Sequence, residues 1–171
     1  GSTARNRTSR QNVPKLRGVL QALLLIAGLL GAVFFFAFLP FYGRELVQYA
    51  PEYAALFWPC LVWAWAFAVP VFWALFPCWQ VFGSIARKGA AFTRENAARL
   101  RLIAYLAFAD AVIFPVGMVV IALLGGGFAA LTLVITPLVT FAAAAVGFAC
   151  YVLSRLIGDA AALREENDMT I

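Results

Sequence analysis

The chain has 171 residues, 64% of them hydrophobic and 12% charged, with a net charge of +5 and a mean hydropathy of +0.90. Soluble domains hold about 45–50% apolar and about 25% charged residues, and disordered chains combine low hydrophobicity with high net charge, so neither class fits. Three cysteines and no histidine argue against a disulfide scaffold and against most zinc sites, and no cofactor or metal is expected.

Residues 1–17 read as a basic cytoplasmic arm carrying Arg5, Arg7, Arg10, Lys15 and Arg17. Gly1-Ser2-Thr3, without a starting Met, reads as a cloning remnant. The first apolar run covers about residues 18–39. A secretory signal core is only about 7–15 residues long and ends at a small-residue cleavage site. Here the run continues through Phe34, Phe35, Phe36 and Phe38 to Pro40, so it is expected to be a retained membrane span. Further runs at about 55–82, 102–124 and 128–156 also exceed the ~20 helical residues that cross a hydrocarbon core. Alternating polarity, the mark of a membrane β-barrel, is missing from all four. The expected fold is all-α, an integral membrane four-helix bundle spanning residues 18–156, with a cytoplasmic tail at 157–171.

Lys and Arg set the orientation of short loops. Twelve of the 13 basic residues fall in the arm, the connection between spans two and three, and the tail with the end of span four (Arg155 and Arg164), and only Arg44 lies on the other side. Both termini are therefore expected in the cytoplasm, with the protein in a plasma membrane. The positive charge is accounted for by topology and by anionic lipid, so direct nucleic-acid binding is not expected. Residues 40–54 form the first outer connection, and Phe41, Tyr42, Tyr49, Tyr53, Phe57 and Trp58 place an aromatic belt there. Gly125-Gly126-Gly127 predicts a tight hairpin between spans three and four.

Helix association in lipid rests on close packing and interhelical hydrogen bonds. Thr132, Thr136, Thr140, Ala144 and Gly147 make a small and polar stripe on span four, and Gly28 with Ala32 a weaker one on span one. Four prolines, Pro70, Pro77, Pro115 and Pro137, fall inside spans, where neighbouring groups can satisfy the carbonyls they free. The cysteines read as small apolar fillers.

Asp110 is the charge out of place. It lies about 12 Å into span three at helical rise, where a carboxylate costs on the order of 2.5–3.5 kcal/mol. No basic residue shares its depth, so it is expected to hold its proton and donate a hydrogen bond. Asp110, Thr136, Thr140 and Trp73 form the candidate intramembrane polar site, either a clamp between helices or a proton or cation site.

On the cytoplasmic side, Thr93 is the expected cap of a helix beginning near Arg94, with Glu95 and Arg99 paired at i,i+4. Thr93, Glu95, Asn96, Arg99 and Arg101, with Glu165, Glu166, Asn167, Asp168, Met169 and Ile171 of the tail, are the candidate partner-binding residues. The tail offers either a strip for strand addition or groove filling, or a segment folded back on 94–101. The pattern Lys88-Gly89, Phe92-Thr93, Glu95-Asn96, Arg99-Leu100-Arg101 and the closing Glu165-Glu166-Asn167-Asp168-Met169-Thr170-Ile171 resembles the bacterial domain-of-unknown-function 2975 family of multi-pass membrane proteins, over roughly residues 16–171. The resemblance implies four spans and a helix-turn-helix transcription regulator as partner, and supplies no catalytic residues.

The leading expectation is a non-enzymatic, partner-binding or regulatory membrane protein. The alternative is a small transporter or channel subunit with a site at Asp110, which four spans would need a homo-oligomer to build. No histidine, nucleophile constellation, phosphate-cradling loop or paired intramembrane carboxylates support an enzyme.

Overall fold

The computed structural model describes residues 2–85, 91–127 and 129–170, with the side chains of 2–6 and 8–11 left aside. Lys88 and Gly89 of the loop pattern and Ile171 of the tail lie outside the described residues. The described chain is helical almost throughout: α1 is Ser2–Val33, α2 Leu39–Tyr49, α3 Phe57–Ser84, α4 Arg94–Ile121 and α5 Ala130–Met169. A π-helical turn at Phe34–Phe38 joins α1 to α2, a 3-10 segment at Pro51–Leu56 precedes α3, and a second π turn at Ala122–Gly126 follows α4. Four helical stretches, Asn12–Tyr49, Pro51–Ser84, Arg94–Gly126 and Ala130–Met169, are long and apolar enough to cross a membrane.

The fold class stands, with three differences in its parts. Residues 2–17 of the arm are the start of α1 rather than a separate segment. The outer connection at 40–54 is helical through Tyr49 and again from Pro51. The tail continues α5 to Met169, which leaves no extended strip for strand addition among the described residues. At the glycine hairpin, Gly125 (φ 114°) and Gly127 (φ 66°) take left-handed backbone, a region that side chains with a Cβ rarely enter.

The helices pack in series. α1 lies on α3, α3 on α4, and α4 on α5 over the largest interface. No comparable interface joins α5 to α1 or α3 among the described residues. Small residues allow each approach. Leu75 and Phe72 of α3 reach Gly28 and Gly31 of α1, and a Cβ on Gly28 would stand 3.1 Å from Leu75 Cδ1. A Cβ on Gly147 of α5 would stand 2.9 Å from the Phe108 ring and 3.1 Å from the Ala104 carbonyl of α4. The buried residues of α5 are Gly147, Ser154 and Ala161, and the hydroxyl oxygen of Thr140 is also buried. The seam thus repeats every seven residues, the spacing of a left-handed helix pair, and only Thr140 and Gly147 of the four-residue stripe lie on it. Thr132 and Thr136 turn their hydroxyls back to their own helix, donating to Ala129 O (2.6 Å) and Thr132 O (2.7 Å).

Two tryptophans of α3 tie it to both neighbours. Trp63 donates its indole N–H to Ile113 O of α4 (3.3 Å), lying where a Cβ on Gly117 would collide with it, and its ring meets Phe114 at 5.0 Å. Trp65 donates to Phe35 O (3.1 Å). The π turn explains that bond. Leu39 N–H bonds to Phe34 O, one residue further back than in an α-helix, so Phe35 O falls opposite Pro40, which has no N–H. The indole supplies the missing donor.

Candidate functional site

Polar residues gather at one end of the helices, where the middle of α1 (Arg17, Gln21) faces the end of α3 and the start of α4, and the end of α5 lies against α4. Thr93, in extended backbone, caps α4 by accepting from Asn96 N–H (3.2 Å), and so satisfies one of the four donors a helix start leaves open. Glu95 and Arg99 approach to 3.9 Å, the i,i+4 pair expected from the sequence. Asn96, expected as a partner-facing residue, is instead only 1% exposed. Its amide donates to Ser84 Oγ (2.7 Å) and Ala91 O (3.2 Å), and its oxygen accepts from Arg99 (2.8 Å). An asparagine in the first turn of α4 points inward against α3, and its side chain is buried because these bonds replace water. It is the lock that fixes the end of α3, the following loop and Arg99 together.

Above this lock opens a cleft of about 350 Å³, lined by Arg17 and Gln21 of α1, Trp79, Gln80, Gly83 and Ser84 of α3, and Thr93, Glu95 and Arg99 near the start of α4. Gln21 and Gln80 are amides inside the first and second apolar runs, and neither is among the polar residues expected to form a site. Their i,i+4 partners, Arg17 and Ser84, carry the signal that would have found them, since residues four apart share a helix face. On the far side of α4, Arg94 pairs with Glu165 of α5 at 2.8 Å, so the tail does lie against the start of α4. Both side chains remain largely exposed, and such a pair adds about 0–1 kcal/mol at most. Arg101, Glu166, Asn167 and Asp168 are exposed, and Met169 is 86% exposed. Ile171 is outside the described residues.

The intramembrane candidates are not gathered into one site. Asp110 is buried, 5% exposed, and among the described residues neither its Oδ1 nor Thr140 Oγ1 has a hydrogen-bond partner. The expected hydrogen bond between Asp110 and the threonines is therefore not formed, and the hydroxyl of Thr136 is engaged within its own helix. Helical spacing explains it: Asp110 shares a face with Phe114 and Gly117, which meet α3, whereas Thr140 lies on the seam to α4 from α5. Trp73 is 55% exposed and makes no hydrogen bond among the described residues. No group of three or more acidic or cysteine side chains comes together among the described residues.

These features define an all-helical protein with four helices of membrane-crossing length and one polar, charged end. The chain belongs to the family described as "Protein of unknown function (DUF2975)", whose model matches residues 41–171. The match begins in α2, so it is shorter than the resemblance suggested, and α1 lies outside it. No curated protein and no solved structure matches the chain.

Proposed function

We propose that this is a non-enzymatic, multi-pass protein of a bacterial plasma membrane, with both termini in the cytoplasm, that binds a cytosolic partner at its polar end. The observation that carries the reading is the Arg94–Glu165 contact, which joins the start of α4 and the end of α5 into one exposed surface. That surface stands clear of the apolar layer. From Ile157 to Met169, α5 extends about 20 Å past the last apolar run at helical rise, and α4 begins about two turns before Leu102. The surface carries charges of both signs around an apolar tip at Met169, which suits a partner presenting complementary charge around an apolar pocket. A helix-turn-helix transcription regulator, implied by the family resemblance, is the partner proposed, held at the membrane without this chain touching nucleic acid.

The test is capture of cytosolic proteins by the full chain in detergent, compared with Met169→Asp and with a chain ending at Arg164. Both changes are expected to cut capture of a helix-turn-helix protein at least about tenfold, as loss of an interface anchor does. Equal capture by all three proteins overturns the reading. A second reading, a transport or channel subunit working as a homo-oligomer, is favoured by one observation, the unpartnered buried carboxyl oxygen of Asp110. Polar groups are rarely left unpaired at such depth unless function uses them.

A further inference from the structure

We infer that the cleft between α1, α3 and α4 binds a singly charged phosphodiester, as presented by an anionic lipid headgroup or by a soluble phosphate compound. This inference is independent of partner docking at the Arg94–Glu165 surface.

The chemistry of the lining selects the charge. Arg17 makes no ion pair or hydrogen bond, and neither do Gln21, Trp79 and Gln80 toward one another or toward the cleft wall among the described residues. Each therefore has N–H groups to offer. Arg99 gives one guanidinium nitrogen to Asn96 and lies 3.9 Å from Glu95, and keeps further donors of its fork. The Thr93 and Ser84 oxygens already accept from Asn96, and the remaining acceptors, the Gln21 and Gln80 amide oxygens and the Glu95 carboxylate, are outnumbered by the N–H groups of the two guanidiniums, the indole and the two amides. Two guanidinium groups against one carboxylate leave one net positive charge. That balance matches a phosphodiester monoanion better than a dianionic monoester, and it disfavours a cation.

Position and size agree. Arg17 directly precedes the first apolar run, Ser84 ends α3, and Arg99 stands three residues before Leu102, so the cleft lies at the border where headgroups sit. Trp79, 39% exposed, is the side chain that favours that layer. A volume of about 350 Å³ falls within the about 300–1,000 Å³ of small-molecule sites. Basic pockets between membrane helices are a known way of holding anionic headgroups. Gly83 brings α3 close to α1 beside the cleft: a Cβ there would meet the Gln21 amide nitrogen at 3.4 Å, an ordinary contact.

The full chain is purified in detergent and offered equal amounts of phosphatidylglycerol and phosphatidylcholine, and retained lipid is read by native mass spectrometry. Preferential retention of phosphatidylglycerol is expected. Arg17→Gln, a change at an exposed side chain, should lower that retention about fivefold. Gln80→Glu, which cancels the net charge, should lower it further, while Arg44→Gln outside the cleft should not. In a parallel arm, glycerophosphoglycerol is added to protein in phosphatidylcholine nanodiscs and thermal stability is followed. A response there that Arg17→Gln removes, without lipid preference, identifies the source as soluble and still supports the site. Equal retention of both lipids with no response to the soluble diester overturns the inference, as does a preference that Arg17→Gln and Gln80→Glu leave unchanged.

Discussion

Asn96 and Asp110 are both buried on α4, two residues of similar shape with opposite treatment. Asn96 has its amide and its oxygen engaged by Ser84, Ala91 and Arg99, whereas Asp110 Oδ1 meets no donor. Buried polar groups stabilise when satisfied and cost when orphaned, so removing Asn96 should leave Ser84 and Arg99 short of partners. Asn96→Ala is expected to cost about 1–3 kcal/mol, more than the ~1 kcal/mol of Thr93→Ala, which removes only a cap. Thermal unfolding in detergent decides it, and a smaller loss for Asn96→Ala than for Thr93→Ala would show that the lock carries no weight. At this scale the sequence is a partial guide. Thr93 as cap and the Glu95–Arg99 pair are local, i,i+3 and i,i+4 relations, and were legible. The burial of Asn96 depends on where Ser84 sits, twelve residues away across a loop, and no periodicity within α4 reports that.

Elements show the same division between what is local and what is not. The four apolar runs were legible because length and hydrophobicity alone specify a membrane-length helix, and the glycine hairpin because two positive φ values demand glycine. The π turn at Phe34–Phe38 was not, since its cause is a carbonyl facing a proline and its remedy an indole thirty residues away. The seven-residue seam Thr140–Gly147–Ser154–Ala161 was likewise hidden behind the more visible four-residue stripe of threonines. Trp65→Phe strands Phe35 O and should cost about 1–3 kcal/mol. Pro40→Ala restores a backbone N–H at the position facing that carbonyl, so in its background the same Trp65→Phe change should cost at least about 1 kcal/mol less, the size of coupling seen between groups that share a partner. Unfolding midpoints of the four proteins measure the coupling. Strict additivity would mean that the indole does not substitute for the missing donor.

For the whole molecule, packing order and charge placement bear on each other. α1, α3, α4 and α5 touch in sequence, and each consecutive pair is antiparallel, so the N-terminal half of α1, the end of α3, the start of α4 and the end of α5 fall toward one end, as the shared cleft and the Arg94–Glu165 pair require. Of the eleven basic residues among the described ones, ten lie toward that end, and Arg44 in α2 sits apart from them. Geometry thus establishes that the two ends differ, and the positive-inside bias supplies the direction: the polar end is expected in the cytoplasm. The test uses a chain with Cys60, Cys78 and Cys150 changed to alanine, carrying either Arg44→Cys or Thr170→Cys, both at exposed positions. In intact cells an impermeant maleimide should label Arg44→Cys and spare Thr170→Cys until the membrane is opened. The reverse pattern would put the cleft and the tail outside the cell, where no cytosolic regulator could reach them, and would overturn the docking proposal. It would leave the phosphodiester cleft standing, because headgroups border both faces of a bilayer.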